Sequence, residues 1–238
     1  MQSDPTPTYT RSETDITQPL ESERIRPLRH VFRMKLLSGM DEVDAIGEVI
    51  ESSTRQFVAE VYEEGETPAF GHWVRVEGEG ETTLFGLVSH VETGSYDSNR
   101  EAVALGLSPE ERAEEMPMVQ ELMRTTVRAL VLACRDRDGR LHQTLPPHPP
   151  DIHDFVYPCT DDNVRSLDAP FDFLRTLVEH PDPAVPVDDL LVAVLRRIHT
   201  AHGGEHGGRE ALVRAGRALS RLLDDDHERL QSILRRVL

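Results

Sequence analysis

Five residues, PPHPP at 146–150, divide this chain into two periodicities. Proline fixes φ and has no N–H to give to a ladder, so the stretch is read as extended and unpaired, with the sheet ending there. Upstream, apolar residues recur at strand spacing; downstream, they recur at helix spacing. The class expected from that change is α+β, with a β part first and an α part second.

In the first part the apolar positions are Ile46, Val49 and Ile50, then Phe57, Val58 and Val61, then Trp73, Val74 and Val76, then Leu84, Phe85, Leu87, Val88 and Val91. Four short strands fit, separated by the turn-forming stretches EEGETP and EGEGE, whose glycines, proline and carboxylates resist helix. A charged stretch near 108–124 predicts an inserted helix: Ser108 with Glu111 forms a capping box, and Pro109 stands in the first turn, where its missing N–H costs nothing. The apolar run Val127–Cys134, the tight turn DRDG and a short strand around Leu141 then predict a hairpin. About six short strands are too few for a two-sheet sandwich and suit a small closed or nearly closed barrel.

Beyond the prolines, residues 163–179 predict one helix, with Asp168 as a cap before Pro170 and Phe171, Leu174, Leu177 and Val178 on one face. Pro186 and Asp188 open a second helix, striped by Leu190, Leu191, Val194, Leu195 and Ile198. GGEHGG breaks it. A third helix carries Leu212, Ala215, Leu219 and Leu222; the acidic run Asp224–Asp226 then complements the dipole of a last one bearing Leu230, Ile233, Leu234 and Val237. The expected organisation is a disordered tail over 1–28, rich in Thr, Ser, Pro and Glu, a barrel over 29–160 and a domain of about four helices over 161–238.

Composition narrows the function classes. With 43 acidic against 26 basic residues the net charge is −17, which argues against a broad polyanion-binding face. Lys35 is the one lysine; the other basic residues are arginines, a bias that says more about the source than about any activity. The absence of a long apolar run and of a basic-then-apolar leader makes a cytoplasmic protein the expectation, with no membrane partner. Cys134 and Cys159 stand far apart in apolar or strand-like runs, so they read as buried thiols.

Several pieces together carry a family resemblance: G-x-V-x-x-[ST] at Gly47, Val49 and Ser52, then a strand with Phe57 and Val61, G-x-W-V-x-V from Gly71 to Val76, and F-G-x-V from Phe85 to Val88. Over roughly residues 44–160 the chain resembles the HAS barrel, the small β-barrel shared by the N-terminal regions of HerA-type DNA-translocating ATPases and of rotary ATP synthase catalytic subunits. The sequence holds no G-x-x-x-x-G-K-[ST], and Lys35 lies in RMKLL without a glycine loop, so ATP hydrolysis by that route is not expected. The resemblance therefore implies the barrel's other job: a non-catalytic adaptor or assembly protein that docks, by edges and loops, onto a ring ATPase such as a HerA-like translocase or its nuclease complex.

Other constellations in the sequence have simpler readings. His199, His202, Glu205 and His206 have metal-ligand spacing, yet the glycine pairs around them read as a helix stop and solvated loop. His148, Asp151, His153 and Asp154 contain a His–Asp pair without a nucleophile elbow. Cys159 lacks an activating cationic setting. The acidic run 110–121 and the arginines Arg214, Arg217, Arg221, Arg235 and Arg236 read as solvated faces. The last helix fits either packing on its neighbours or docking in a partner's groove. No catalytic, cofactor or metal residue is assigned. The rival to the adaptor is a metal-dependent or His-based hydrolase built on 199–206 and 148–154, and a weaker one is a nucleic-acid-binding barrel.

Overall fold

The computed structural model describes residues 44–63, 65–78, 82–96, 103–108, 110–111, 114 and 122–237. The tail expected over 1–28 lies outside them, as does Lys35. So does most of the inserted helix, although Glu110, Glu111 and Glu114 are helical. Its capping box is present: the Ser108 amide donates to Glu111 Oε2 (2.8 Å), and the Glu111 amide donates to Ser108 Oγ (3.2 Å).

Seven strands form one sheet: β1 (Gly47–Ser52), β2 (Gln56–Val61), β3 (Trp73–Gly78), β4 (Thr82–Ser95), β5 (Met123–Arg135), β6 (Leu141–His142) and β7 (Phe155–Pro158). The order is β2-β1-β7-β3-β4-β5, and β5 pairs back onto β2. Every pairing is antiparallel, so six strands close into a barrel, with β6 appended to the far end of β5. The β1–β2 turn is the Ser-Ser-Thr stretch, where Ser53 Oγ accepts from the Gln56 amide (3.1 Å) and donates to its carbonyl (2.8 Å).

The sixth barrel strand is β7, beyond the prolines, and not the strand at Leu141. The prolines bar only themselves from the ladder. The chain runs back along β1, with the Pro150 carbonyl accepting from Ser52 Oγ and the His153 amide donating to the Val49 carbonyl (2.8 Å). It then pairs with β1 and β3. Val156 is the one fully buried residue of β7, between exposed Phe155 and half-buried Tyr157 and Pro158, which leaves little alternation to read.

Two cores explain the long buried runs of β4 and β5. Inside the barrel, Val49, Phe57, Ala59, Val74, Val76, Val88, Val127, Ala129, Val131 and Val156 pack together. On the outside, Trp73, Phe85, Leu87, Leu130, Leu132 and Ala133 join the helices in a second core. A register shift at Phe85/Gly86 skips Leu132, so Leu132 and Ala133 both face the helices, as a bulge requires. Each fully buried leucine at that junction contributes about 1.5–3 kcal/mol.

The helices that follow the barrel are α1 (Asp161–Ser166), α2 (Phe173–Val178), α3 (Val187–Ala201), α4 (His206–Leu222) and α5 (His227–Val237). The single helix expected over 163–179 is two. Pro170 disfavours helical backbone before it, and Phe171 lies at φ +64° with its ring buried, so the chain breaks between α1 and α2. Thr160 caps α1 with a reciprocal box to Asn163, and Asp168 caps nothing. The α3 stripe is buried as expected, from Leu190 to Ile198.

Helix α4 begins inside the expected glycine loop. Gly203 and Gly204 do end α3, both with positive φ, but Gly207 and Gly208 are helical. A Cβ at Gly208 would stand 2.3 Å from the His199 carbonyl oxygen, and one at Gly207 would stand 2.7 Å from that of His202. These glycines let the start of α4 lie directly on the end of α3. Helix α5 packs its apolar face inward: Ile233 is fully buried, with Leu230, Leu234 and Val237 half-buried on the same core.

Candidate docking face of the barrel

The helices occupy the flank formed by β3, β4 and the second half of β5, and the core they share holds no described residue of β1, β2 or β7. The outer surface of those strands is the barrel's other flank. Ladder pairing lines up a row across it: Phe155 of β7 opposite Glu48 of β1, Glu48 opposite Glu60 of β2, Glu60 opposite Thr126 of β5, and Thr126 opposite Glu92 of β4. Two carboxylates thus face each other directly, an arrangement that costs a few tenths to about 1 kcal/mol in a sheet.

Each carboxylate is held by a tyrosine. Tyr62 Oη donates to Glu48 Oε1 (2.7 Å), and Tyr96 Oη donates to Glu60 Oε1. Burial, with the Glu48 carboxylate beside it, pushes the Tyr62 phenol above its usual range; the bond to Glu60 does the same for Tyr96. Both tyrosines stay protonated donors at neutral pH. Arg124 lies over the Tyr96 ring, 5.3 Å from its centre, with Nη1 3.8 Å from Glu60, and His153 Nδ1 is 3.0 Å from Glu48 Oε2. Tyr62, Tyr96, Ile152 and Phe155 are all among the exposed large hydrophobic residues. This face is suited to protein contact, since exposed aromatics ringed by polar groups are a common interface composition.

The other candidates fall elsewhere. Among the described residues no three His, Cys, Asp or Glu side chains gather as a metal site would need. Asp168 Oδ2 accepts from Arg214 Nη2 at 3.0 Å, and His202 Nε2 lies 2.9 Å from the same oxygen without the geometry of a hydrogen bond; His202 Nε2 and the other Asp168 oxygen are both buried with no hydrogen-bond partner among the described residues. The His199 ring packs beside Gly208, while Glu205 and His206 are exposed at the start of α4. His202, Asp168 and Arg214 thus form a clamp joining the α1–α2 break to α3 and α4. Asp168→Ala is expected to cost about 1–3 kcal/mol in urea denaturation, and Asp168→Ala with His202→Ala less than the sum of the two single changes. Additive losses would mean the pair is not coupled.

In the 148–154 segment, His153 turns outward to Glu48, and Asp154 accepts from the Asp151 amide (2.8 Å). Arg236 pairs with Asp189 and Arg229 with Asp188 (2.8 Å), tying α5 to α3, while Arg217 and Arg221 are exposed. Cys134 is buried, whereas Cys159, expected to be buried too, keeps part of its surface exposed; burial of the sulfur pushes the Cys159 thiol up to about 12 and also raises that of Cys134. Neither is an activated nucleophile. Both are expected to be silent to a disulfide reagent at pH 8 in the native protein and to react once guanidinium unfolds it. Because the folded thiol is the weaker acid, stability falls as pH rises above the unfolded thiol value near 8.5. Fast native labelling would disprove the burial argument.

Sequence reasoning placed Glu48 and Phe57 on strands without marking the Glu48–Glu60 row, because only the register brings the two carboxylates together. No curated protein matches the chain. The family model for the HAS barrel domain matches residues 46–129, which covers β1 to β4 and the first half of β5. With β7 completing the ring from outside that span, this chain carries a HAS barrel domain that closes as a six-stranded antiparallel barrel.

Proposed function

We propose that this protein is a non-catalytic adaptor or assembly factor that docks through its barrel onto a ring ATPase, with a HerA-like DNA translocase as the favoured partner. The observation that carries the reading is the HAS barrel domain at residues 46–129. Its helix-covered flank supports the rest: the barrel is braced on one side, and the aromatic face of β1, β2 and β7 lies on the other. Closure of β5 onto β2 satisfies the strand edges there, so docking falls to a face of the barrel where edges were expected from the sequence. No helix among the described residues is long and apolar enough to cross a membrane.

The test is affinity purification of the tagged full chain from its own cells, with the co-purifying proteins identified, followed by mixing with the purified ATPase on a sizing column. Co-elution with a HerA-like ATPase, with no ATP turnover by the chain alone, is the expected result. Recovery of no ATPase, with the protein running as a free monomer, would sink the proposal.

A further inference from the structure

The docking face carries a second inference, which rests on the reading above and names the chemistry of what it takes. We propose that it seats a basic segment of the partner protein: a stretch bearing arginine or lysine with flanking apolar side chains, laid across Glu48 and Glu60.

Four observations converge. Glu48 and Glu60 are directly opposed across the β1–β2 ladder, and opposed like charges are held against their repulsion. Departures from local consistency of this kind collect at functional surfaces. The cations nearby leave room for another: Arg124 is a loose 3.8 Å from Glu60 and is partly engaged with the Tyr96 ring, and His153 is 76% exposed. Four of the ten exposed large hydrophobic residues among those described surround this pair: Tyr62, Tyr96, Ile152 and Phe155. Tyr62 and Tyr96 are bonded to the carboxylates, Phe155 pairs across the ladder with Glu48, and Ile152 precedes the histidine that bonds to it. Aromatic side chains with a polar tip are favoured as binding hot spots, and a guanidinium pairs with a carboxylate in two parallel hydrogen bonds while stacking on a ring. Charge complementarity thus selects a cationic occupant, and the apolar rim selects one that also buries carbon. A nucleic acid would meet two carboxylates and is disfavoured.

The probe is a labelled decapeptide alternating arginine with tryptophan and leucine, titrated against the full chain by fluorescence anisotropy at about 0.15 M salt, where distant surface charges are screened. A peptide of equal charge with serine in place of the apolar residues is the comparison. Glu48→Gln with Glu60→Gln is expected to weaken binding about tenfold, against about twofold or less for Asp224→Asn with Asp225→Asn, which removes the same charge from an exposed run elsewhere. Phe155→Ser is expected to weaken the apolar peptide and leave the serine peptide unchanged. The conservative Glu→Gln changes keep the side-chain size, and circular dichroism verifies the fold. Equal weakening by the two double variants would show binding to net charge alone and overturn the inference. A dimer in sedimentation that Glu48→Gln with Glu60→Gln dissociates would overturn it in favour of a second copy. Failure of the ATPase to co-purify would defeat the adaptor reading and leave the peptide result standing.

Discussion

Trp73→Ala is expected to lower the unfolding free energy by about 3–5 kcal/mol, the usual cost of emptying a large aromatic site. Trp73 is 3% exposed and lies where the barrel meets the helices. Its ring meets Phe173 edge to face with centroids 5.3 Å apart, and its carbonyl accepts from the Cys159 amide at 3.0 Å. Deletion therefore leaves a cavity walled by two elements of different type, which relax toward each other poorly. The indole Nε1 is buried without a hydrogen-bond partner among the described residues. Trp73→Phe gives up that unsatisfied donor along with part of the ring, so it is expected to lose only about 1–2 kcal/mol. Guanidinium unfolding followed by circular dichroism separates the two, since the single tryptophan cannot serve as its own reporter. A loss below about 1 kcal/mol for the alanine variant would mean that barrel and helices do not share a core.

The second large effect is at Gly47. A Cβ there would stand 2.1 Å from the Glu60 carbonyl oxygen and 2.9 Å from its carbon, both backbone atoms that no rotamer change can move. Gly47 pairs on one side with Val61 and on the other with Val156, so opening the β1–β2 ladder to admit a methyl also disturbs the closing strand. Gly47→Ala is expected to cost about 3 kcal/mol, the upper end of ordinary overpacking. For a chain of this size that lowers the melting temperature by roughly 6–12 °C. Gly94→Ala is the matched control: it lies on β4, and a Cβ there meets nothing within 4 Å. Its expected effect is within about 0.5 kcal/mol. Equal melting temperatures for the two variants would remove the close approach as the reason for Gly47.

The same glycine shows how far the sequence could be read. In IGEVIESSTRQFVAEV it heads an apolar strand pattern rather than opening a helix, so the sequence alone offers no phosphate loop there. That a backbone carbonyl of the neighbouring strand fills the place of its side chain was not legible. The capping box at Ser108 and Glu111 was legible because its partners are three residues apart, and so was the α3 stripe from Leu190 to Ile198. Asp168 was read as a helix cap because only its near neighbours were in view. Its partners His202 and Arg214 arrive from two later helices. The docking face behaves in the same way: Glu48, Glu60 and Phe155 are ordinary strand residues until the register sets them in one row.

By itself the amino-acid sequence determined most of the elements: apolar spacing marked β1 to β4, an apolar run marked β5, helical spacing marked the faces of α3, α4 and α5, and the turn residues between them followed from local backbone preference. The order of class, barrel before helices, came with them. Tertiary structure alone decided three things: that Phe155–Pro158 closes the barrel, that Gly207 and Gly208 begin a helix, and that two carboxylates oppose each other on the free flank. The division has one physical cause. Periodicity and capping are settled by atoms a few residues apart, whereas closure, close approach and opposed charge depend on atoms that only the folded chain brings within reach.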